Sequence, residues 1–262
     1  MTAMNGFQVT LCDISDQALN KGFEFIQSQL SRGVQKGKWD QSTADQTLER
    51  IAKTVQMEEL NQQDLLIEAA TENKAIKFDI FRKLDHIAKP EALLASNTSS
   101  ISITEIAAVT NRPEKVVGMH FMNPVPVMKL VEGIRGLETS DQSFDTVEDV
   151  AKKMGKVFVR ANDVPGFAVN RILMPMINEA VYALYEGVAS VEDIDQAMKL
   201  GTNHPMGPLT LADFIGRDTC LAIMEVLHEG LGDTKYRPCP LLKKYVVSGR
   251  LGKKSGRGFY EY

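Results

Sequence analysis

Short apolar runs alternate with longer segments of helical spacing through the first 160 residues of the chain. Apolar residues recur at three- and four-residue intervals, as in Ile76, Ile80, Leu84 and Ile87, which predicts amphipathic helices. The runs predicted to be strands are residues 7–12, 65–67, 92–95, 115–119, 128–131 and 157–159. Strands that alternate with helices predict an α/β domain with a largely parallel sheet.

The pattern changes at the segment Asp163-Val164-Pro165-Gly166-Phe167. Beyond this segment only helical spacing is found, over residues 172–185, 191–200, 209–227 and 241–247. We therefore predict a boundary near residue 160, with an α/β domain over residues 1–160 and an all-α domain over residues 161–262.

Composition narrows the classes of protein that this chain can belong to. It has 262 residues, of which 44% are hydrophobic and 24% charged, and a net charge of −4, which excludes a disordered or collagen-like chain. The acidic balance argues against a nucleic-acid partner, and no apolar run approaches the about 18 residues of a membrane span. The three cysteines form no CxxC pair, which predicts a cytoplasmic protein without a cysteine metal site. No other metal site is expected.

The segment from His120 to Glu132 is the most informative stretch for chemistry. The two residues are equidistant from Pro126, so a turn centred there would bring them opposite each other, and their even separation would place them on one face. A histidine can exchange a proton near neutral pH, and an adjacent carboxylate fixes its tautomer. The alternative is a surface histidine with a solvated glutamate, and spacing alone favours neither. The asparagine and two prolines between them indicate a shaped loop and favour the functional interpretation.

A polar segment, Ser96-Asn97-Thr98-Ser99-Ser100, follows a predicted strand. Ligands of open α/β sheets bind at the carboxyl ends of strands, where these hydroxyl and amide groups could hold a substrate oxygen. The alternative is a helix cap for residues 103–109. Both can hold, because five polar residues exceed the needs of one cap.

Four other residues indicate a functional role more weakly when the sequence is considered without comparison to a known family. Asn170 is expected one or two turns into an apolar helix, where its low helix propensity indicates a hydrogen-bonding role. Glu72 and Lys77 are interpreted as a solvated helix start. Asp13 ends the first predicted strand, where an acidic residue is either a turn residue or a ligand of a ribose hydroxyl. The glycine fingerprint would lie about 20 residues earlier, before residue 1, and no GxGxxG occurs elsewhere.

Together these segments resemble the L-3-hydroxyacyl-CoA dehydrogenase family, in particular the bacterial 3-hydroxybutyryl-CoA dehydrogenase type. The resemblance extends over essentially the whole chain. The motifs that carry it are residues 95–100, 120–132, 163–171, 205–208 (Pro-Met-Gly-Pro) and 252–260 (Gly-Lys-Lys-Ser-Gly-Arg-Gly-Phe-Tyr). It implies a doubly wound, Rossmann-like NAD-binding domain followed by an all-α domain for substrate binding and dimerisation.

The resemblance also implies an activity and a set of site residues. The reaction is NAD-dependent oxidation of an L-3-hydroxyacyl-CoA to a 3-oxoacyl-CoA, or the reverse, in fatty-acid or butanoate metabolism. His120 would be the acid/base, Glu132 its orienting partner, and Ser99 and Asn170 would contact the reacting oxygen and position the substrate. The cofactor residues implied are Asp13, Glu72, Lys77, Asn97, Asn123 and Lys254. Lys36 would bind the CoA phosphates, the active site would lie in a cleft between the domains, and a homodimer is implied. The acidic Asp13 favours NAD over NADP.

The chain departs from the family pattern at its start. Family members begin with a strand and GxGxxG before the equivalent of residues 4–7, so we expect an N-terminally truncated gene model. A chain without this segment is expected to fold poorly in its first half or to bind NAD badly, because the glycine turn holds the pyrophosphate. One alternative is a non-catalytic remnant that dimerises and binds CoA weakly. Another is a dehydrogenase of a small hydroxy acid on the same fold.

Overall fold

Seven strands and five α-helices form the first half of the chain. The structure, a computed structural model, describes residues 1–262. The strands are β1 (Val9–Cys12), β2 (Ile51–Thr54), β3 (Leu65–Glu68), β4 (Leu93–Ser96), β5 (Val116–Phe121), β6 (Leu130–Arg135) and β7 (Val157–Asn162). The helices are α1 (Asp16–Gln35), α2 (Gln41–Glu49), α3 (Lys74–Ile87), α4 (Ile103–Ala107) and α5 (Asp141–Lys153). Contacts between residues divide the chain into a first unit, Met1–Asp163, and a second unit, Val164–Tyr262.

The strands of the first unit form two sheets. Strands β1 and β2 pair in parallel as a two-stranded sheet, and the other five follow the order β3-β4-β5-β6-β7. All neighbours in the larger sheet are parallel except β5 and β6, which are antiparallel. The predicted α/β fold with a mostly parallel sheet is thereby confirmed. Strand β1 has one neighbour only, β2.

The core of the first unit explains why most strands could be found from apolar runs. Helix α5 packs Phe144 and Val147 against β5 and β6, where Val117, Met119 and Val131 are fully buried. Strands covered in this way lose the alternation of polar and apolar residues and become continuous apolar runs.

Two elements differ from the prediction. Strand β2 was missed, because only Thr54 of its four residues is buried and its sequence carries no apolar run. Its strand conformation depends on pairing with β1 rather than on a pattern of its own. The predicted helix over residues 209–227 is two helices, separated by Gly216, whose φ of 100° places it in the left-handed region that favours glycine.

The second unit is entirely helical. Its helices are α6 (Val169–Tyr185), α7 (Val191–Gly201), α8 (Pro208–Ile215), α9 (Arg217–Leu231) and α10 (Pro240–Val247). Its core includes Met174 and Ile177 of α6 packed with Met224 and Leu227 of α9. No helix in the structure has the length and apolar character to cross a membrane.

The last residues of the chain fold onto a buried ion pair of the second unit. The guanidinium of Arg217 is fully buried, 3.1 Å from Asp213, with the rings of Tyr245 and Phe259 centred 4.5 and 4.3 Å from it. A Cβ at Gly258 would lie 2.1 Å from a carboxylate oxygen of Asp213. The glycine at this position of the closing motif is therefore required by the close approach of that carboxylate.

Candidate active site

The antiparallel pairing of β5 and β6 places His120 directly opposite Glu132. The Nδ1 atom of His120 lies 2.7 Å from Oε2 of Glu132. Glu132 is fully buried and His120 is 8% exposed. Since a carboxylate only accepts hydrogen bonds, Nδ1 carries the proton and donates it, which assigns proton exchange to Nε2. A histidine whose ring orientation is fixed by a buried carboxylate in this way can serve as an acid/base.

The polar segment after β4 is organised by a carboxylate. The backbone N–H and the hydroxyl of Ser99 both donate to Oε1 of Glu72, at 2.7 and 2.9 Å. The Thr98 hydroxyl donates to the other oxygen of Glu72, at 2.8 Å. The interpretation of Glu72 as a solvated helix start misses this role, because its partners lie 26 and 27 residues further along the chain.

Lys77 is buried, so its interpretation as a solvated residue is wrong. Its Nζ lies 2.5 Å from Oε2 of Glu68, and both side chains are 2% exposed. The hydroxyl of Ser96 donates to the same oxygen at 2.8 Å, and the N–H of Ala70 donates to Oε1 at 2.7 Å. Sequence reasoning missed Glu68. The available signal was a carboxylate at the end of a buried apolar strand, which needs a partner.

Two asparagines follow the strands β4 and β5. Asn97 accepts the N–H of Phe121 at its Oδ1 atom, over 2.8 Å, which ties the end of β4 to the end of β5. Asn123 is exposed and lies just beyond β5. Because β3, β4 and β5 are parallel, their carboxyl ends lie at one edge of the sheet. That edge brings together Asn97, Ser99, His120 and Asn123.

The other predicted residues of the first unit lie away from this edge's hydrogen-bond network. Asp13 follows β1, where its carboxylate accepts the N–H of Ile14 at 2.7 Å, the geometry of a turn residue that leaves the side chain exposed. Lys36 is an exposed residue at the C-terminal end of α1.

Two predicted residues belong to the second unit. Asn170 is the second residue of α6 and is 7% exposed. The ammonium of Lys254 lies 2.5 Å from a carboxylate oxygen of Asp218. Desolvation alone would raise the pKa of Asp218, but the hydrogen bond and charge of Lys254 outweigh it and lower that pKa. Lys254 is therefore engaged in an ion pair within its own unit.

A mostly parallel sheet with a histidine–glutamate pair and polar side chains at the carboxyl ends of its strands fits a dinucleotide-dependent dehydrogenase. Residues 1–164 match the family model described as the NAD-binding domain of 3-hydroxyacyl-CoA dehydrogenase, and residues 166–262 match the model of its C-terminal domain. The chain belongs to the 3-hydroxyacyl-CoA dehydrogenase family.

Individual relatives agree with the family models. A Bacillus subtilis protein named a probable 3-hydroxybutyryl-CoA dehydrogenase is 60% identical over 257 residues, which cover 98% of this chain and 90% of the relative. The human mitochondrial hydroxyacyl-coenzyme A dehydrogenase is 40% identical, covering 100% of this chain and 86% of the relative. The crystal structure of (S)-3-hydroxybutyryl-CoA dehydrogenase from Ralstonia eutropha matches with a TM-score of 0.97 and 51% identity, over 99% of this chain and 92% of that one.

These matches confirm the predicted family and fold class. The protein is an oxidoreductase of that family with an NAD-binding domain. Identity this high over the full chain supports an enzyme rather than the non-catalytic alternative.

Proposed function

We propose that the protein interconverts L-3-hydroxybutyryl-CoA and acetoacetyl-CoA, with NAD as the hydride acceptor in the oxidation. The observation that carries the proposal is the contact of 2.7 Å between His120 and the buried Glu132 at the carboxyl edge of the sheet. The choice of a four-carbon acyl chain is supported by the names of the Bacillus subtilis and Ralstonia relatives. The identity to relatives named 3-hydroxybutyryl-CoA dehydrogenase argues against a small hydroxy acid as the substrate.

In this proposal His120 accepts and returns the proton, and Glu132 holds the imidazole ring of His120 in place. Nε2 accepts the proton of the 3-hydroxyl as the hydride leaves C3, and the negative charge of Glu132 stabilises the imidazolium that forms. In reduction the same nitrogen returns the proton to the 3-oxo group. The Ser99 hydroxyl, ordered by Glu72, contacts the reacting oxygen. Asn170 of the second unit is proposed, from its match to the family pattern, as a residue that positions the substrate.

Residues at the carboxyl ends of strands in the two sheets suit the two ends of NAD. An exposed carboxylate at the end of β1, Asp13, can accept hydrogen bonds from the adenosine ribose. Asn97, Asn123 and Glu72 supply amide and carboxylate groups for the nicotinamide half. Lys77 fits less well as a direct ligand, because its ammonium is buried against Glu68. We propose that it acts near the nicotinamide half through the segment that Glu68 holds.

Four further proposals concern Lys36, Lys254, the oligomeric state and the location of the protein. Lys36 is exposed and can reach the CoA phosphates, and Lys254 is a cofactor residue only if it leaves its ion pair with Asp218. A homodimer formed by the second unit is supported by its exposed apolar residues, namely Ile172, Val188, Leu200, Phe214 and Val247. A cytoplasmic location is supported by the three free cysteines.

The test is acetoacetyl-CoA-dependent oxidation of NADH, followed by absorbance. Turnover with acetoacetyl-CoA, together with at least tenfold lower kcat/KM for acetoacetate without CoA, is the expected result. Faster turnover of the free acid would support the small hydroxy acid instead. No turnover of either would overturn the proposed function. Light scattering gives the oligomeric state in the same preparation, and a monomer would contradict the homodimer.

A further inference from the structure

Lys156 is a buried cation at the start of β7 that the proposed mechanism does not use. The residue is 6% exposed. Its Nζ donates to the backbone carbonyl of Val125 and, over 2.7 Å, to that of Met128. Desolvation lowers the pKa of this ammonium. No carboxylate forms an ion pair with it, so the two carbonyls are its compensation for burial.

Both carbonyls belong to the loop of residues 122–129, which joins β5 to β6. Pro124 and Pro126 lack an N–H, so the loop has few donors of its own. The N–H groups of Val127 and Met128 both donate to the carbonyl of Pro124, at 2.9 and 3.0 Å. Lys156 therefore supplies the donor for two further carbonyls of the loop, those of Val125 and Met128.

This loop carries Asn123 and begins immediately after the strand of His120. We propose that Lys156 is a positioning residue for the dehydrogenase reaction, which fixes the loop of residues 122–129 and with it Asn123 at the edge of the sheet. The inference rests on the proposed function, in which Asn123 lies near the nicotinamide half.

The acid/base pair itself does not depend on Lys156. His120 and Glu132 are held opposite each other by the β5–β6 ladder, in which Gly118 pairs with Ile134 and Phe121 with Val131. A displaced loop therefore lowers the rate of hydride transfer while the proton-exchanging pair remains assembled. This separation distinguishes a positioning role from a general loss of structure.

The variant Lys156→Met tests the inference. Methionine replaces the apolar stem of lysine by an unbranched side chain of similar length and removes every donor of the ammonium. We expect kcat for acetoacetyl-CoA reduction to fall at least tenfold at a temperature where the variant is fully folded. The pH–rate profile is expected to keep the wild-type shape. Lys153→Met removes the same charge at an exposed residue at the end of α5 and is expected to keep wild-type kcat.

A second measurement follows the order of the loop of residues 122–129 independently of enzyme activity. Amide hydrogen exchange at Val127 and Met128, whose N–H groups bond to Pro124, is expected to be at least tenfold faster in Lys156→Met. Unchanged exchange, a kcat within twofold of wild type, or a shifted pH–rate profile would overturn the inference. If Lys156→Met does not fold, Lys156→Gln replaces it with the same criteria, since its amide keeps only two donors on a shorter chain. Absent turnover in wild type would instead contradict the proposed function, and exchange would still decide the role of Lys156.

Discussion

His120 and Glu132 face each other across two antiparallel strands, with 2.7 Å between Nδ1 and Oε2. The rest of the five-stranded sheet is parallel, so this is the one strand pair in it that a short loop can join. A one-residue slip of either strand would turn its side chain to the opposite face of the sheet. The pairing of backbone atoms therefore determines which histidine nitrogen is available for chemistry.

Replacement of His120 by asparagine removes the proposed proton acceptor. We expect kcat to fall by about 10²–10⁴-fold, the usual contribution of a general acid or base. Tm is expected to fall as well, because the buried Glu132 loses the donor at Nδ1. Steady-state kinetics and thermal unfolding measure the two effects. His86→Asn, at an exposed position of α3, is the control and should keep wild-type kcat. Wild-type turnover by the His120 variant would remove this residue from the mechanism.

Replacement of Glu132 by glutamine keeps the buried volume and removes the charge. We expect kcat to fall by about 10²-fold, because the imidazolium formed in the reaction loses its stabilising carboxylate. KM for acetoacetyl-CoA should change little, since Glu132 is fully buried and cannot contact the substrate. A large increase in KM with unchanged kcat would show that Glu132 acts on substrate binding instead.

The contacts of Ser99 with Glu72 predict that their variants are not additive. Ser99→Ala removes the hydroxyl that donates to Glu72 over 2.9 Å, and Glu72→Gln replaces one accepting oxygen by an amide. In a double-mutant cycle on kcat/KM we expect a coupling energy of about 0.5–3 kcal/mol, as found for residues in one hydrogen-bond network. Simple additivity would mean that the two residues act independently.

The buried pair of Glu68 and Lys77 predicts a distinctive pattern of stability. Either Glu68→Met or Lys77→Met leaves one uncompensated charge in the interior, which costs about 3–5 kcal/mol in the free energy of unfolding. The double variant removes both charges and should recover part of that loss. Full recovery is not expected, because Ser96 and Ala70 also lose their acceptor. Denaturant unfolding measures all three variants, and a double variant as unstable as the sum of the singles would contradict the prediction.

The lowered pKa of Asp85 predicts how the free energy of unfolding of the protein changes at acidic pH. Desolvation would raise the pKa of this carboxyl, but hydrogen bonds from Asn111 and Arg112 outweigh it and hold the pKa below its ordinary value of 3.8. A lowered pKa in the folded state stabilises the protein above the unfolded value, and this contribution is lost as the pH falls through the folded value.

The control for this prediction is Asp85→Asn, which cannot titrate. We expect wild type to have the higher Tm at pH 7, and the difference between the two proteins to shrink below about pH 4. A difference in Tm that stays constant from pH 7 to pH 3 would show that the charge of Asp85 has no part in it.

How far the sequence alone predicts this protein depends on where each residue finds its partners. The His120–Glu132 pair could be predicted because both residues lie at equal distances from one turn, and most strands could be predicted because they are buried apolar runs. Strand β2 could not, since three of its four residues are not buried and its structure comes from pairing with β1.

The polar residues whose roles the sequence did not predict, Glu68 and Lys156, have another reason in common. Glu68 bonds to residues 77 and 96, and Lys156 to carbonyls 28 and 31 residues earlier in the chain. A charged residue looks the same in a sequence whether it faces solvent or a distant partner. Local pattern therefore favours the interpretation that a charged residue is exposed to solvent. For Lys77 that interpretation was wrong, because it is buried against its partner Glu68.

The antiparallel ladder of β5 and β6 makes the proton-exchanging pair independent of the length of the loop between them. Residues can be added to or removed from the exposed part of that loop, around Val127, without separating His120 from Glu132. A deletion of one residue inside either strand would separate them. Exchange of this loop between relatives is therefore expected to leave the contact between His120 and Glu132 intact.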